Sequence, residues 1–354
     1  MTEQETMRAV VFDGVGKVSV VRRPVPRIQA PGDAIIKVGV AALCGSDLHW
    51  YRGHMDIPTG FIPGHEFTGA IHELGTEVGG FSVGDAVVAT FSTQCGECFY
   101  CQKGQTSRCG KGYLFGNSAG TMSIDGGQAE YVRVPQATST LFLRPPSIPE
   151  SLLVLMGDIF PTGYFAASRF LKHLPAAEAK STVVAVVGCG PVGICAVAAA
   201  LTWADTVFAI DPVAERVAEA GRIGAIPLTL GDDTAARIRE ATGGRGADVA
   251  LEVVGMPDAM RLCIDMVRPF GHVSSVGVQT ADLTLHGPTL YSKNITIAWG
   301  RCPVRGVFTD ALACLEQVQD KVAFLCETRM SLDDAVEAYR LFNDRKVHKV
   351  LLTP

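Results

Sequence analysis

No run of like charges, no internal repeat and no strongly basic stretch occurs in the 354 residues of this chain. A formal charge of −5 and a pI near 5.9 exclude an electrostatic grip on nucleic acid or on an anionic membrane. The opening MTEQETMRAVVFDG is acidic and holds no apolar stretch as long as a signal peptide requires. Eleven cysteines would suit an oxidising compartment only if they paired. Cys189, Cys195, Cys263, Cys302, Cys314 and Cys326 stand in apolar surroundings, where free thiols are common, and the others fall into patterns with metal-ligand logic. The expectation is a reduced, soluble, cytoplasmic protein. At 47% hydrophobic and 19% charged residues it is an ordinary globular chain, long enough for two domains.

Residues 181–204, STVVAVVGCGPVGICAVAAALTWA, carry no charge and are long enough to span a bilayer. Gly188, Gly190, Pro191 and Gly193 interrupt them after a β-branched run, so the stretch reads as strand, tight turn and buried helix. Before it, the short apolar runs AVVFDG, DAIIKVGV and DAVVAT suggest strands of a partly open β-barrel or sandwich, and LRPPSIPE (143–150) reads as a linker. After it, strand-like TVFAID, IPLTL, DVALEVVG, GHVSSVGV and NITIAWG alternate with helical stretches, the pattern of a doubly wound parallel sheet in an α/β protein. Beyond Trp299 come a helix in SLDDAVEAYRLFND and a strand-like HKVLLTP that would return to the first domain.

Cys95, Cys98, Cys101 and Cys109 have the form C-x2-C-x2-C-x7-C. A C-x2-C step lets two thiolates reach one metal, and four thiolates complete the closed tetrahedral shell of a structural zinc. A disulfide would leave two of the four without a role; an iron–sulfur cluster uses the same spacing and is the serious rival. A closed shell has no open position for substrate, so chemistry must lie elsewhere.

A catalytic zinc needs three protein ligands and one open position. CGSDLH at 44–49, PGHEF at 63–67 and MGDIFPTGY at 156–164 would supply a thiolate from Cys44, an imidazole from His65 and a carboxylate from Asp158. Singly, each has a plainer reading as a buried thiol, a core histidine and a helix cap. Their combination with the other motifs overturns those readings.

In VVAVVGCGPVGICAVAAA, Gly188, Gly190 and Gly193 form G-x-G-x-x-G, with Pro191 and Val192 between the last two. Placed between strand and helix, such glycines let backbone approach a pyrophosphate on the helix N-terminus. Asp211 ends the next strand, where a carboxylate accepts from a ribose 2′-hydroxyl and repels a 2′-phosphate, so NAD is favoured. Arg216 nearby keeps NADP in play, and Asp211 would serve equally as a helix cap.

Together these motifs resemble the zinc-dependent medium-chain dehydrogenase/reductase family, which includes the alcohol dehydrogenases, over nearly the whole chain. The resemblance implies a GroES-like catalytic domain in residues 1–158 and 300–354 around a Rossmann domain in 159–299, with NAD and two zinc ions, one catalytic and one structural. It implies that Cys44, His65 and Asp158 bind the catalytic zinc, with Glu66 as a carboxylate able to approach it. Asp47 would orient His65, Ser46 and His49 would relay the proton, Thr162 would approach the nicotinamide, and Lys349 would sit near the cofactor phosphates.

The implied reaction is hydride transfer between an alcohol and NAD. The aspartate in DIFPTGY resembles bacterial secondary-alcohol and formaldehyde dehydrogenases, which points to small secondary alcohols and ketones; polyols, threonine-like amino alcohols and formaldehyde stay open. Core packing is the plainer reading for any one of Trp50, Phe115 and Trp299; as lining of an apolar pocket they would favour an uncharged substrate. A reading of another class is a non-catalytic sensor of NAD and zinc, against which the retained ligands and relay residues stand. Relatives form dimers and tetramers, which implies a homo-oligomer, with the tetramer favoured.

Overall fold

The computed structural model describes residues 5–118 and 123–354; the first four residues of the acidic opening lie outside them. The chain divides into two compact units, one of Met1–Asp158, Pro303–Leu312 and Ala323–Pro354, the other of Ile159–Cys302 and Ala313–Val322.

The first unit is rich in strands: β1 (Thr6–Gly14), β2 (Lys17–Pro24), β3 (Ala34–Ala42), β4 (Glu66–Leu74), β5 (Ala86–Ala89), β6 (Leu114–Phe115), β7 (Ser123–Ile124), β8 (Tyr131–Val134) and β9 (Leu141–Leu143). The second holds β10 (Val183–Val187), β11 (Thr206–Asp211), β12 (Ile226–Thr229), β13 (Ala247–Glu252), β14 (Val267–Ser275) and β15 (Thr296–Trp299), and the first unit resumes with β16 (Arg329–Ser331) and β17 (Leu351–Thr353).

In the first unit β1 and β2 form an antiparallel pair, and a seven-stranded sheet runs β16-β17-β3-β4-β5-β9, with β8 also on β3. The C-terminal HKVLLTP thus returns as β17, where Leu351 and Leu352 lie opposite Ala42 and Ala41 of β3. The proline-rich 143–150 is no linker between the units: it lies inside the first, and Ile148 is buried. Two supposed pocket residues also belong to packing. Trp50 is buried among Phe12, Phe61 and Tyr339, and Phe115 packs edge-on against Phe67. Large aromatic rings stabilise most where all their surface leaves water, and these two have done so.

The second unit is built on a six-stranded parallel sheet in the order β12-β11-β10-β13-β14-β15. Its central strand β10, VVAVV, is buried on both faces, as a continuous β-branched run in a doubly wound sheet should be. The uncharged stretch therefore leaves β10 through a turn into the helix Pro191–Ala200, with Pro191 in its first turn. No single helix among the described residues is long and apolar enough to cross a membrane.

The turn depends on two glycines. Gly188 has φ +100°, a region that L side chains rarely adopt, and a Cβ on Gly193 would overlap the Gly188 carbonyl oxygen. Gly193→Ala should therefore destabilise the protein by about 2 kcal/mol through overpacking against backbone. Denaturant unfolding checks this: the midpoint should fall at constant m-value, and an unmoved midpoint would show that the turn relaxes freely.

Candidate active site and metal centres

The antiparallel register sets Ala42 at the end of β3 opposite Glu66 at the start of β4, so the chain leaving β3 and the chain entering β4 emerge side by side. Cys44 follows β3, and the short helix Asp47–Tyr51 follows Cys44; His65 immediately precedes β4. Asp158 arrives from a 3-10 turn, Val154–Gly157, tied down where the Phe91 N–H donates to the Gly157 carbonyl at 2.8 Å. These paths bring ligating atoms of Cys44, His65, Glu66 and Asp158 within 4.8 Å of one another.

Asp158 Oδ2 lies 3.3 Å from His65 Nε2 and 3.7 Å from Cys44 Sγ. Ordinary zinc–ligand lengths and a tetrahedral angle require edges of about 3.4 Å between N and O and about 3.6 Å between S and O, so the donor set fits zinc. Asp47 holds the arrangement from behind: Oδ2 accepts the Cys44 N–H at 3.0 Å, and Oδ1 lies 3.6 Å from His65 Nδ1. That leaves Nε2 for the metal side, where Ser46 Oγ is 3.5 Å away. His49 is half-buried on the same short helix, and its pKa is lowered by burial and then by the neighbouring His54 and Arg52.

One residue stands elsewhere than expected. Lys349 is fully buried, donates to the Leu43 carbonyl at 3.0 Å and to Glu66 Oε1 at 2.9 Å, and so is occupied within the first unit rather than presented to cofactor phosphates. An ammonium removed from water needs a carboxylate at contact, and Glu66 supplies it. Burial raises the Glu66 pKa while Lys349 opposes the rise; burial would lower that of Lys349, but Glu66 and Cys44 more than offset it. No local pattern marks this pairing, because the partners lie 283 positions apart.

The cysteine lobe forms a second cluster of ligating atoms within 4.8 Å. Cys95 Sγ lies 4.0 Å from Cys101 Sγ and 3.6 Å from Cys109 Sγ, far beyond a disulfide bond and close to the edge of about 3.8 Å in a tetrahedral four-thiolate zinc. Backbone N–H groups of Cys95 and Cys98 point at the sulfurs of Cys109 and Cys95, at 3.3 and 3.4 Å, as thiolates require. The Cys98 thiol is held down to about 6, first by the backbone of Cys101, whereas burial pushes Cys101 up to about 12. On the rim, Phe99 and Tyr100 are exposed.

In the second unit, Gly190 caps the helix Pro191–Ala200, and a Cβ there would meet only the Arg216 guanidinium, 3.9 Å away. Backbone N–H groups at this helix start are therefore approachable by a phosphate, with Pro191 and Val192 half-buried beside them. Asp211 accepts from the Cys189 and Val213 N–H groups at 2.8 and 2.9 Å, which fixes its carboxylate and leaves lone pairs for a ribose. These features fit a dinucleotide. Thr162 lies buried on the helix Ile159–Leu171 of this unit, and Trp299, on the edge strand β15, is partly exposed.

Zinc competes with protons at the first cluster. Burial raises the Cys44 pKa; at His65 burial acts to lower it, but Cys44, Asp158 and Asp47 carry it well above the usual imidazole range. Ligands that hold protons this firmly release metal as pH falls. Zinc retained after dialysis should therefore decline as pH falls, read by metal analysis, and pH-independent retention would contradict the assignment of Cys44 and His65 as ligands. If the lobe holds a metal, Cys101→Ser should lower the bound zinc without emptying the first cluster and open residues 95–109 to proteolysis; unchanged zinc content would count against a four-thiolate site.

The description "Alcohol dehydrogenase GroES-like domain" matches residues 30–145, and "Zinc-binding dehydrogenase" matches residues 191–317. Zinc-type alcohol dehydrogenase B of Aspergillus flavus is 46% identical over 355 residues, spanning 99% of this chain and 82% of that protein. Among solved structures, the alcohol dehydrogenase TADH from Thermus sp. ATN1 matches with a TM-score of 0.91 at 33% identity, covering 98% of this chain and 99% of that one. The 2R,3R-butanediol dehydrogenase from Bacillus subtilis matches with a TM-score of 0.82 at 27% identity, covering 98% and 99%. With these similarities beside a zinc-fitting cluster in a GroES-like unit and a glycine turn in a Rossmann-like one, the chain belongs to the zinc-dependent medium-chain dehydrogenase/reductase family, among the zinc-type alcohol dehydrogenases.

Proposed function

We propose that the protein oxidises small secondary alcohols to ketones with NAD as hydride acceptor, and runs the reverse reduction. The observation that carries this reading is the buried convergence of Cys44, His65 and Asp158, with the Ser46 hydroxyl on the metal side of the imidazole. The butanediol dehydrogenase named above acts, as its name says, on 2R,3R-butanediol, whose hydroxyls are secondary, which supports the substrate class.

In this reading Cys44, His65 and Asp158 hold the catalytic zinc, and Cys95, Cys98, Cys101 and Cys109 a structural one. Residues 1–158 with most of 300–354 act as the catalytic domain and 159–299 as the cofactor domain, except that 300–302 and Ala313–Val322 pack with the second unit rather than the first. When bound, the metal supplies Lewis acidity toward an alcohol or carbonyl oxygen, and the nicotinamide supplies the hydride acceptor. Ser46 would take the proton that the substrate hydroxyl loses as it gives up its own, and His49, its pKa lowered by burial and so neutral near pH 7, would receive the relayed proton and pass it to water. Asp47 keeps the His65 ring in the orientation that presents Nε2. Glu66, held back by Lys349, is the reserve carboxylate. Gly188, Gly190, Pro191, Val192 and Gly193 receive the pyrophosphate, Asp211 and Arg216 the adenosine ribose, and Thr162 the nicotinamide end.

The clustering of Cys44 and of Cys95, Cys98, Cys101 and Cys109 as metal ligands rather than as disulfide partners supports a reducing, cytoplasmic setting. Strand β15 ends its sheet, and Tyr291 and Trp299 are exposed near it; an open edge of this kind supports a homo-oligomer, a tetramer in the first instance.

NADH formation from NAD should be fastest with 2-butanol in a panel with 1-butanol, sorbitol, threonine and formaldehyde, and should vanish on chelation. Preference for sorbitol, threonine or formaldehyde would replace the substrate class, and no turnover with zinc loaded would favour a sensor of NAD and zinc. Ser46→Ala should slow turnover about a hundredfold while leaving NAD affinity unchanged; equal losses in both would overturn its relay role.

A further inference from the structure

At the carboxyl end of the parallel sheet, one rung of residues runs across four strands: Val187 of β10 lies opposite Glu252 of β13, Glu252 opposite Ser275 of β14, and Ser275 opposite Trp299 of β15. Gly188, the first glycine of the nucleotide turn, is the next residue after Val187. The strand order reverses between β10 and β13, and ligands of doubly wound sheets bind outside the carboxyl ends at such a switch point. Two charged side chains occupy this rim.

Glu252 is fully buried. Its Oε1 accepts the Val254 and Gly255 N–H groups at 2.8 and 2.6 Å, and its Oε2 accepts the Ser275 hydroxyl at 2.7 Å and the Gln279 amide at 3.4 Å. One carboxylate thus fastens the loop after β13 to the end of β14 and the loop after it. Arg169, on the helix Ile159–Leu171, stacks on Phe165 with 4.0 Å to the ring centroid. Its Nη1 donates to the carbonyls of Ser275 and Ala298 at 3.1 Å each and to the Ser274 hydroxyl at 3.3 Å, and its Nη2 to the Gly300 carbonyl at 3.3 Å. The guanidinium thus joins the ends of β14 and β15. Ser275 connects the two charges, its hydroxyl on Glu252 and its carbonyl on Arg169.

Well-packed apolar side chains would hold strands together at lower cost than buried charges, so stability alone is a weak reason for this network. Its geometry has another consequence. The loops it fastens carry Val254, Met256 and Val278, which are about half exposed rather than absorbed in the core. These loops therefore draw little of their shape from core packing, and the network imposes it. The G-x-G turn and Asp211 serve the adenosine half of a dinucleotide, whereas β13, β14 and β15 form the other mononucleotide half of the sheet.

We propose that Glu252 and Arg169, linked through Ser275, are positioning residues that hold the loops after β13, β14 and β15 in the shape that receives the nicotinamide half of the cofactor. This rests on the NAD reading given above. Thr162 lies seven positions before Arg169, two turns earlier on the same helical face, so one helix brings both to that half of the site.

The test compares NADH and AMP, the second of which engages only the adenosine half. Binding to the unmodified protein, Glu252→Gln, Arg169→Met and Arg169→Lys is measured by NADH fluorescence and by calorimetry with AMP, beside melting temperatures. Glu252→Gln and Arg169→Met should weaken NADH binding about tenfold or more, as expected for lost hydrogen bonds to charged groups, and leave AMP binding within about twofold; Arg169→Lys should recover part of the NADH affinity. Should Glu252→Gln fail to fold, Ser275→Ala severs the same link by the loss of one hydroxyl, with the same expected split. Equal losses for NADH and AMP would reduce the network to a stabilising role, and unchanged NADH affinity in folded variants would overturn the inference alone. Failure of the unmodified protein to bind NADH would overturn the cofactor reading and this inference with it.

Discussion

A buried ion pair closes the charge balance of the metal cluster. Cys44, Asp47, Glu66 and Asp158 each carry negative charge when ionised, and three of them are buried with less than a tenth of their surface exposed. The ammonium of Lys349 stands among them, held at 2.9 Å from Glu66 and 3.0 Å from the Leu43 carbonyl. Burial is the leading reason that Cys44, Asp47 and Glu66 stand above their usual pKa values, and the Asp158 carboxylate adds to each rise while the His65 imidazole opposes it. A divalent cation lowers that cost, so the same electrostatics that make the bare cluster hold protons make it a receptive metal site. Lys349 reaches the cluster just before β17, and β17 reaches β3 through its register with Ala41 and Ala42. The C-terminal strand therefore serves the site through its charge as well as its hydrogen bonds.

The second unit handles buried charge in a different way. Glu252 is satisfied by N–H and O–H groups and Arg169 by carbonyls and a hydroxyl, without direct pairing between them. Hydrogen bonds to loop backbone convert each charge into a geometric constraint, most strictly at the fully buried Glu252, where losing a donor would leave a carboxylate oxygen unsatisfied away from water. Near the metal, charge tunes chemistry; at the sheet rim, it shapes loops. Both arrangements lie where chain segments end their strands, since there backbone groups are free of the sheet ladder and available to side chains.

Local motifs were legible wherever the chemistry depends on spacing within one turn or loop. The C-x2-C steps forecast a compact sulfur cluster because a two-residue spacer confines both thiols to one loop, and the four sulfurs do gather within 4.8 Å of one another. The β-branched run before G-x-G-x-x-G forecast β10 and its turn because a buried parallel strand needs apolar residues on both faces. The proline-rich 143–150 misled because proline signals an irregular backbone wherever it occurs, and here that irregularity lies within one unit. Trp50 and Phe115 fill the core, the plainer of the two readings open to them, because an aromatic side chain looks the same in sequence whether it lines a cavity or packs inside.

What the sequence by itself determined is the inventory of donors and their local geometry: four lobe thiols, the nucleotide turn, and Cys44, His65 and Asp158 as candidates in separate segments. Only the tertiary structure decided which distant groups share a dielectric environment. It pairs Lys349 with Glu66 across 283 positions and links Arg169 to the carbonyl of Ser275 across 106. The physical reason is range. Turn and spacing preferences act over a few residues and leave a pattern in the chain, whereas a buried charge selects its partner only after the sheets have set their register and excluded water.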